Sequence, residues 1–134
     1  MSSISLGIVI IVVSDSRNEQ TDKSGKVLED RINKSGHKLI EKIFLKDNIE
    51  DIKTKLKELI SSKSHNVIIL SGGTGLTGRD STPEAVKSVI KKEIPGFGEI
   101  FRMISYKKIA TSSLQSRAIA GLAYDKFIFA LPGS

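Results

Sequence analysis

Apolar and polar residues follow one another along the chain in blocks whose lengths and periods predict alternating strands and helices. Residues 5–13 form an almost continuous Ile/Val run, which is typical of a strand buried on both faces of a parallel sheet. Residues 49–60 repeat Ile and Leu at helical spacing and predict an amphipathic helix. The same criteria predict strands at 37–44, 66–70 and 126–130 and helices at 24–35, 82–91, 99–106 and 113–120.

Strands that alternate with helices predict an α/β fold. We expect three layers: a mostly parallel sheet with right-handed crossovers and helices on both faces. The length of 134 residues predicts a single domain over residues 1–134. The last predicted strand is followed only by residues 131–134. We therefore expect that this sequence lacks a C-terminal helix, which would cover that strand.

The composition is that of an ordinary soluble globular protein, with 39% hydrophobic and 27% charged residues. No apolar run is long enough to span a membrane, so we expect no membrane partner. The absence of cysteine excludes disulfides and thiolate metal sites and fits a cytoplasmic protein.

The net charge of +6 has two interpretations. It could attract an anionic partner, or the lysines could solvate helix faces, where many of them interleave with acidic residues. Aromatic residues make up only 5% of the chain and show no base-stacking pattern. We therefore expect no nucleic-acid partner.

Residues 70–86 are the most informative stretch, because they connect an apolar strand to a helix through a loop with four glycines. Glycine allows a backbone to approach a ligand closely, and successive free N–H groups form a concavity that binds anions. Arg79 and Asp80 follow directly. This pattern predicts a phosphate-bearing ligand that is handled by a carboxylate.

Gly73, Gly75 and Gly78 also spell G-x-G-x-x-G, the dinucleotide-binding string. In that motif the helix opens within the glycines. Here Thr82 is the predicted N-cap and Pro83 suits the first helical position, so the helix starts after them. The loop also lacks the Gly-Lys-Ser/Thr ending of a phosphate-binding P-loop. A nicotinamide-binding interpretation is therefore disfavoured.

Ligands of parallel sheets bind outside the carboxyl ends of the strands. Four loops are predicted to meet there, and each carries polar residues: residues 14–17, the loop around Asp47, the glycine loop with Asp80, and residues 132–134. Their convergence predicts one composite site at this edge of the sheet.

These same loops carry a resemblance to a known family. The chain resembles the MoaB/MogA family of molybdenum cofactor biosynthesis proteins, which includes the G domain of gephyrin, in four stretches: S-D-S-R at 14–17, D-K-S-G at 22–25, S-G-G-T-G-L-T-G-R-D-S-T-P-E-A-V at 71–86 and P-G-S at 132–134. Residues 94–106 and 110–118 look specifically like the MoaB branch. The resemblance covers essentially the whole chain.

The resemblance implies a molybdopterin-binding fold and a reaction. Enzymes of the family use Mg²⁺ and ATP as co-substrate to adenylylate the terminal phosphate of molybdopterin, the substrate, and they release pyrophosphate. The product passes to a molybdate-inserting enzyme, so handover to that enzyme is implied as well. The family also implies a homo-oligomer, a trimer or a hexamer. The alternative is a non-catalytic molybdopterin-binding or carrier protein of the same pathway.

The two carboxylates that are important in the family map onto Asp47 and Asp80. We assign both to catalysis and to Mg²⁺ binding, with Asp80 in the leading role, because Mg²⁺ prefers carboxylate and phosphate oxygens. A structural alternative exists for each. Asp80 precedes a predicted helix and could bind loop amides, and Asp47 could cap the helix at 49–60.

The remaining predicted site residues bind the pterin or the nucleotide. They are Ser14, Asp15, Ser16, Arg17, Ser71, Gly72, Gly73, Thr74, Gly75, Arg79, Ser113, Pro132, Gly133 and Ser134. The glycine loop would line phosphates with N–H groups; its alternative is a loop shaped only for packing. The last three residues would close the site from the final strand.

Alternatives remain open for three of the polar residues. Asp15 could contact the edge of the pterin, orient Arg17, or lie in a solvated turn. Arg79 could neutralise a phosphate, or could pair with Asp15 or with a neighbouring subunit. Ser113 could contact the pterin or cap a helix.

Overall fold

Six strands form one mixed sheet, and the computed structural model describes the chain over residues 5–15, 23–72, 81–94 and 118–131. The elements over these residues are β1 (Gly7–Val13), α1 (Lys23–Lys34), β2 (Lys38–Leu45), α2 (Ile49–Ser61), β3 (Val67–Ser71), α3 (Thr82–Val89), β4 (Lys92–Glu93), β5 (Ile119–Ala123) and β6 (Lys126–Leu131). The strand order is β2-β1-β3-β6-β5-β4. The strands β2, β1, β3 and β6 are parallel, β5 pairs antiparallel with β6, and β4 pairs antiparallel with β5.

The strand β1 lies between β2 and β3 and is buried on both faces, as its Ile/Val run predicts. Successive side chains of a strand point to opposite faces of the sheet. Alternate residues from Val9 to Val13 accordingly pack into a core with α2 and α3. Those from Ile8 to Val12 pack on the other face, in a core that contains Ile32 of α1. Helices therefore cover both faces, which confirms the predicted α/β fold.

Most element boundaries agree with the sequence prediction to within two residues. The amphipathic pattern of α2 buries Ile52, Leu56 and Leu59, as its helical spacing requires. None of the described helices is long and apolar enough to cross a membrane.

The helix predicted at 113–120 is wrong over the part that the structure describes. Residues from Ile119 onward form β5, which pairs with β6 across a turn at 124–125. Pairing with neighbouring strands, rather than the local pattern, makes this segment a strand. The pairing with β4 is so close that a Cβ at Gly121 would lie 2.8 Å from the Lys92 carbonyl oxygen, so glycine is required there. The strand β4 has only two residues and is too short to show a period. The helix predicted at 99–106 lies outside the described residues.

A buried cation and a buried imidazole lie at the amino edge of the sheet. Lys126 is 2% exposed, and its Nζ donates to the backbone oxygen of His65 at 3.2 Å. The His65 Nδ1 lies 3.0 Å from the Ser64 hydroxyl, while its buried Nε2 has no hydrogen-bond partner among the described residues. Burial, and next the charge of Lys126, lower the pKa of His65 below its ordinary value of 6.5.

This pKa predicts a pH-dependent stability. Above pH 6.5 the imidazole is neutral in both the folded and the unfolded chain. As the pH falls below that value, the unfolded chain binds a proton that folded His65 does not accept, so the free energy of unfolding decreases. We expect His65→Gln to reduce the slope of this free energy between about pH 8 and about pH 5, measured by urea unfolding. Equal slopes for the two proteins would show that His65 does not contribute.

Candidate active site

Four parallel strands end together at the carboxyl edge and place their loops side by side. In register, Val12 of β1 is the partner of Ser71 of β3, and Ser71 is the partner of Leu131 of β6. Ser14, just beyond β1, donates its N–H to the Leu45 oxygen at the end of β2, at 2.9 Å. The described members of the predicted site are thereby brought to one edge of the sheet; they are Ser14, Asp15, Asp47, Ser71 and Gly72.

The glycine loop leaves the sheet at Gly72, where the Val13 carbonyl leaves no room for a side chain. Gly72 has φ +101°, and a Cβ built there would overlap the Val13 carbonyl oxygen. Only glycine fits where β3 exits so close to β1. Its N–H, which we assigned to a ligand phosphate, donates instead to the Leu131 oxygen at 2.8 Å. Gly72 therefore shapes the start of the loop, and its amide is engaged by β6.

Asp47 does not cap α2, because the adjacent Asn48 does. Asn48 has extended dihedrals (φ −133°, ψ 121°), and its side chain accepts from the N–H groups of Glu50 and Asp51. The Asp47 carboxylate accepts instead from the backbone N–H of Ser81, at 2.9 Å. The capping alternative for Asp47 is therefore wrong, and its carboxylate contacts the residue that directly follows Asp80.

Asp15 is exposed and joins the same cluster from the loop after β1. Its Oδ1 accepts from the backbone N–H of Asp47 at 3.1 Å. The two carboxylates are therefore linked through backbone, although they come from loops 32 residues apart. Of its predicted partners, Arg17 and Arg79 lie outside the described residues.

The helix α3 begins differently from the sequence prediction. Its N-cap is Ser81, which makes no side-chain capping bond, whereas Thr82 is fully buried as the first helical residue. The Thr82 hydroxyl has no hydrogen-bond partner among the described residues. The prediction of Thr82 as cap was wrong because this residue packs inward, while the Ser81 amide faces Asp47.

The other predicted site residues lie outside the described part of the chain and stay predictions. They are Ser16, Arg17, Gly73, Thr74, Gly75, Arg79, Asp80, Ser113, Pro132, Gly133 and Ser134. The group that sequence reasoning missed is the Ser81 N–H, a backbone donor with no residue-type signal. The capping role of Asn48 did have a signal, because acidic residues fill the helix turn that follows it.

The described residues offer Mg²⁺ oxygen ligands but no complete cage. No group of three or more His, Cys, Asp or Glu side chains among them could hold a metal ion. Among the described residues, the Ser81 amide is the hydrogen-bond donor to the Asp47 carboxylate, through Oδ1. One or two carboxylates together with substrate phosphates is the usual Mg²⁺ ligand set, and Asp47 fits it.

Comparison with known proteins identifies the family. Residues 9–134 match the family described as "Probable molybdopterin binding domain". The chain belongs to the MoaB/MogA family. It is 44% identical over 127 residues to molybdenum cofactor biosynthesis protein B of Escherichia coli (strain K12), covering 95% of this chain and 75% of that protein.

Solved structures of the family share the fold. A crystal structure of a molybdenum cofactor biosynthesis protein B superposes with a TM-score of 0.94 at 41% identity, over 100% of this chain and 84% of that one. The tungsten cofactor synthesizing protein MoaB from Pyrococcus furiosus gives a TM-score of 0.83 at 32% identity, over 99% and 85% of the two chains. The resemblance and the fold class predicted from sequence are both confirmed.

The close contact at Gly72 predicts a large cost for a single methyl group. Gly36 is a matched control, since it also has positive φ (+83°) but a Cβ there meets nothing within 4 Å. We expect Gly36→Ala to lower the free energy of unfolding by about 1 kcal/mol through backbone strain alone. Gly72→Ala adds overpacking against Val13 and should cost about 2–4 kcal/mol. Urea unfolding measures both, and similar losses would refute the steric argument.

The different roles of Asn48, which caps α2, and Asp47, which contacts the Ser81 N–H, are also testable. Asn48→Ala removes the N-cap of α2 and should cost about 1 kcal/mol of unfolding free energy. Asp47→Asn keeps a side-chain oxygen for the Ser81 N–H, so we expect little change in stability. If instead Asp47→Asn is the more destabilising of the two, the capping assignment is incorrect. Thermal or urea unfolding of the two variants decides.

Proposed function

We propose that this protein acts in molybdenum cofactor biosynthesis by transferring the adenylyl group of ATP to molybdopterin. The observation that carries the proposal is the Asp47 carboxylate, bound to the Ser81 amide that directly follows Asp80 at the end of the glycine loop. Family membership supports the pathway, as does the E. coli relative, whose name is molybdenum cofactor biosynthesis protein B.

The reaction exchanges one phosphoanhydride bond for another. An oxygen of the terminal phosphate of molybdopterin attacks the α-phosphorus of ATP. The bond from that phosphorus to the oxygen bridging the α- and β-phosphates breaks, and pyrophosphate leaves with the electron pair. Both reacting groups are anionic, so catalysis depends on alignment and charge neutralisation rather than on a covalent enzyme intermediate.

Two carboxylates would hold Mg²⁺ in this proposal: that of Asp80 and that of Asp47, whose Oδ1 accepts from the Ser81 N–H. When bound, Mg²⁺ neutralises phosphate oxygens and orients them for the displacement. The chain itself holds Asp47 in place with a neutral backbone donor, the Ser81 N–H, at 2.9 Å. The negative charge of the carboxylate is therefore not cancelled by a cationic side chain of the described residues.

The glycine loop supplies the anion-binding part of the site. Its entry is shaped by Gly72, whose amide is engaged by β6. We therefore assign the phosphate-binding N–H groups to residues 73–75, and assign Arg79 to the phosphate charge. Asp15 contributes through the Asp47 backbone.

Pyrophosphate release from molybdopterin and Mg-ATP tests the proposal. We expect turnover in the intact chain, and a loss of about 100-fold or more in both Asp80→Ala and Asp47→Asn. The matched control is Asp30→Asn, which removes an exposed carboxylate that pairs with Lys34 on the surface of α1.

The possible outcomes separate the enzyme from a carrier. Turnover that persists in both site variants would remove Asp47 and Asp80 from the mechanism. A folded protein that binds molybdopterin but releases no pyrophosphate would contradict the adenylyltransferase and would support a non-catalytic molybdopterin carrier. Molybdopterin binding can be followed by its pterin fluorescence in the same samples.

A further inference from the structure

Two hydrogen bonds in series connect three loops at the carboxyl edge. Asp15 Oδ1 accepts from the Asp47 N–H at 3.1 Å, and Asp47 Oδ1 accepts from the Ser81 N–H at 2.9 Å. The loop after β1, the loop before α2 and the residue before α3 are thus joined by side chain to backbone contacts. Each link spans more than thirty residues of sequence, 32 for the first and 34 for the second.

The first link acts on a tight turn. The Asn48 N–H donates to the Lys46 oxygen at 2.8 Å, which makes Asp47 the central residue of a three-residue γ-turn. The Asp47 N–H is not used inside this turn, and Asp15 is its acceptor. Holding that amide therefore sets the orientation of the turn and of the side chain that it carries.

The second link, from the Ser81 N–H to the Asp47 carboxylate, depends on this orientation of the turn. With the turn held, the Asp47 carboxylate accepts from the Ser81 N–H through Oδ1. If the turn rotates, the same carboxylate loses its neutral donor. The direction of the Asp47 carboxylate thus depends on Asp15, an acceptor in the loop after β1.

We propose that Asp15 is a positioning residue, which orients Asp47 through its backbone amide. The effect of Asp15 on turnover rests on the proposed function, whereas its effect on the Asp47 and Ser81 amides does not. The sequence left three possibilities for Asp15, namely contact with the pterin, orientation of Arg17, and a solvated turn. The contact with Asp47 is a fourth role.

Two substitutions of Asp15 distinguish the loss of its hydrogen-bond acceptor from the loss of its negative charge. Asp15→Asn keeps an oxygen that can accept from the Asp47 N–H but removes the negative charge. Asp15→Ala removes both. Asp51→Ala is the control, because it removes an equal charge from the first turn of α2 and leaves both links intact.

The structural readout is amide hydrogen exchange at Asp47 and Ser81, measured by NMR. We expect Asp15→Ala to accelerate exchange at both amides by about tenfold, the equivalent of one lost hydrogen bond. Asp15→Asn and Asp51→Ala should stay close to the unchanged chain. Unaltered exchange at Ser81 in Asp15→Ala would overturn the proposal, because Asp47 would then hold its position without Asp15.

The kinetic readout separates positioning from ligand contact. In pyrophosphate release we expect Asp15→Ala to lower kcat by about 10- to 100-fold, with little change in the KM of molybdopterin, and Asp15→Asn to restore most of the activity. A raised molybdopterin KM in both Asp15 variants would overturn positioning and indicate direct contact. If even the unchanged chain shows no turnover, the proposed function fails, and hydrogen exchange alone still decides the role of Asp15.

Discussion

The close approach of the end of β3 to the end of β1 is the constraint on which the rest of the carboxyl edge depends. Gly72 passes so near the Val13 carbonyl that a side chain there would overlap it, and the Gly72 N–H binds the Leu131 oxygen of β6. These contacts extend the parallel register beyond the last residue of the strand. They determine where the glycine loop begins at the carboxyl edge of the sheet.

Backbone N–H groups contact both acidic residues that the structure describes at this edge. The Asp47 carboxylate accepts from the Ser81 N–H, and the Asp47 N–H is in turn held by Asp15. A neutral donor fixes the direction of a carboxylate without cancelling its charge. Such a carboxylate remains attractive to a divalent cation, which the proposed adenylyl transfer would use.

The opposite edge of the sheet carries a different kind of polar contact. Lys126 is buried there, with its Nζ bonded to the His65 backbone oxygen, and the imidazole of His65 is buried beside it. Burial of the His65 imidazole, which lowers its pKa, links stability to pH at this edge. The candidate site lies at the other ends of the same strands, so the structure separates the pH-sensitive contact from the residues proposed to act on substrate.

Local patterns in the sequence were enough to predict the α/β class, the strand-by-strand layout of the first ninety residues and the edge at which the loops meet. They were enough because a strand buried on both faces needs a continuous Ile/Val run such as that of β1, and because α2 needs apolar residues at helical spacing. The family resemblance likewise followed from short motifs in the loops. These features are local, and each can be identified within a dozen or so residues.

Contacts between distant segments were not visible in those patterns. Residues 119–123 form a strand because β6 and β4 pair with them, and the Thr82 side chain packs inward, which leaves Ser81 as the N-cap of α3. Either Asp47 or Asn48 could cap α2 by residue type. Their roles differ because the Asp47 carboxylate accepts from a backbone N–H that lies 34 residues further along the chain. A backbone amide is the same at every residue except proline, so no residue type marks the donors that hold this site, and only the folded arrangement of the strands brings them together.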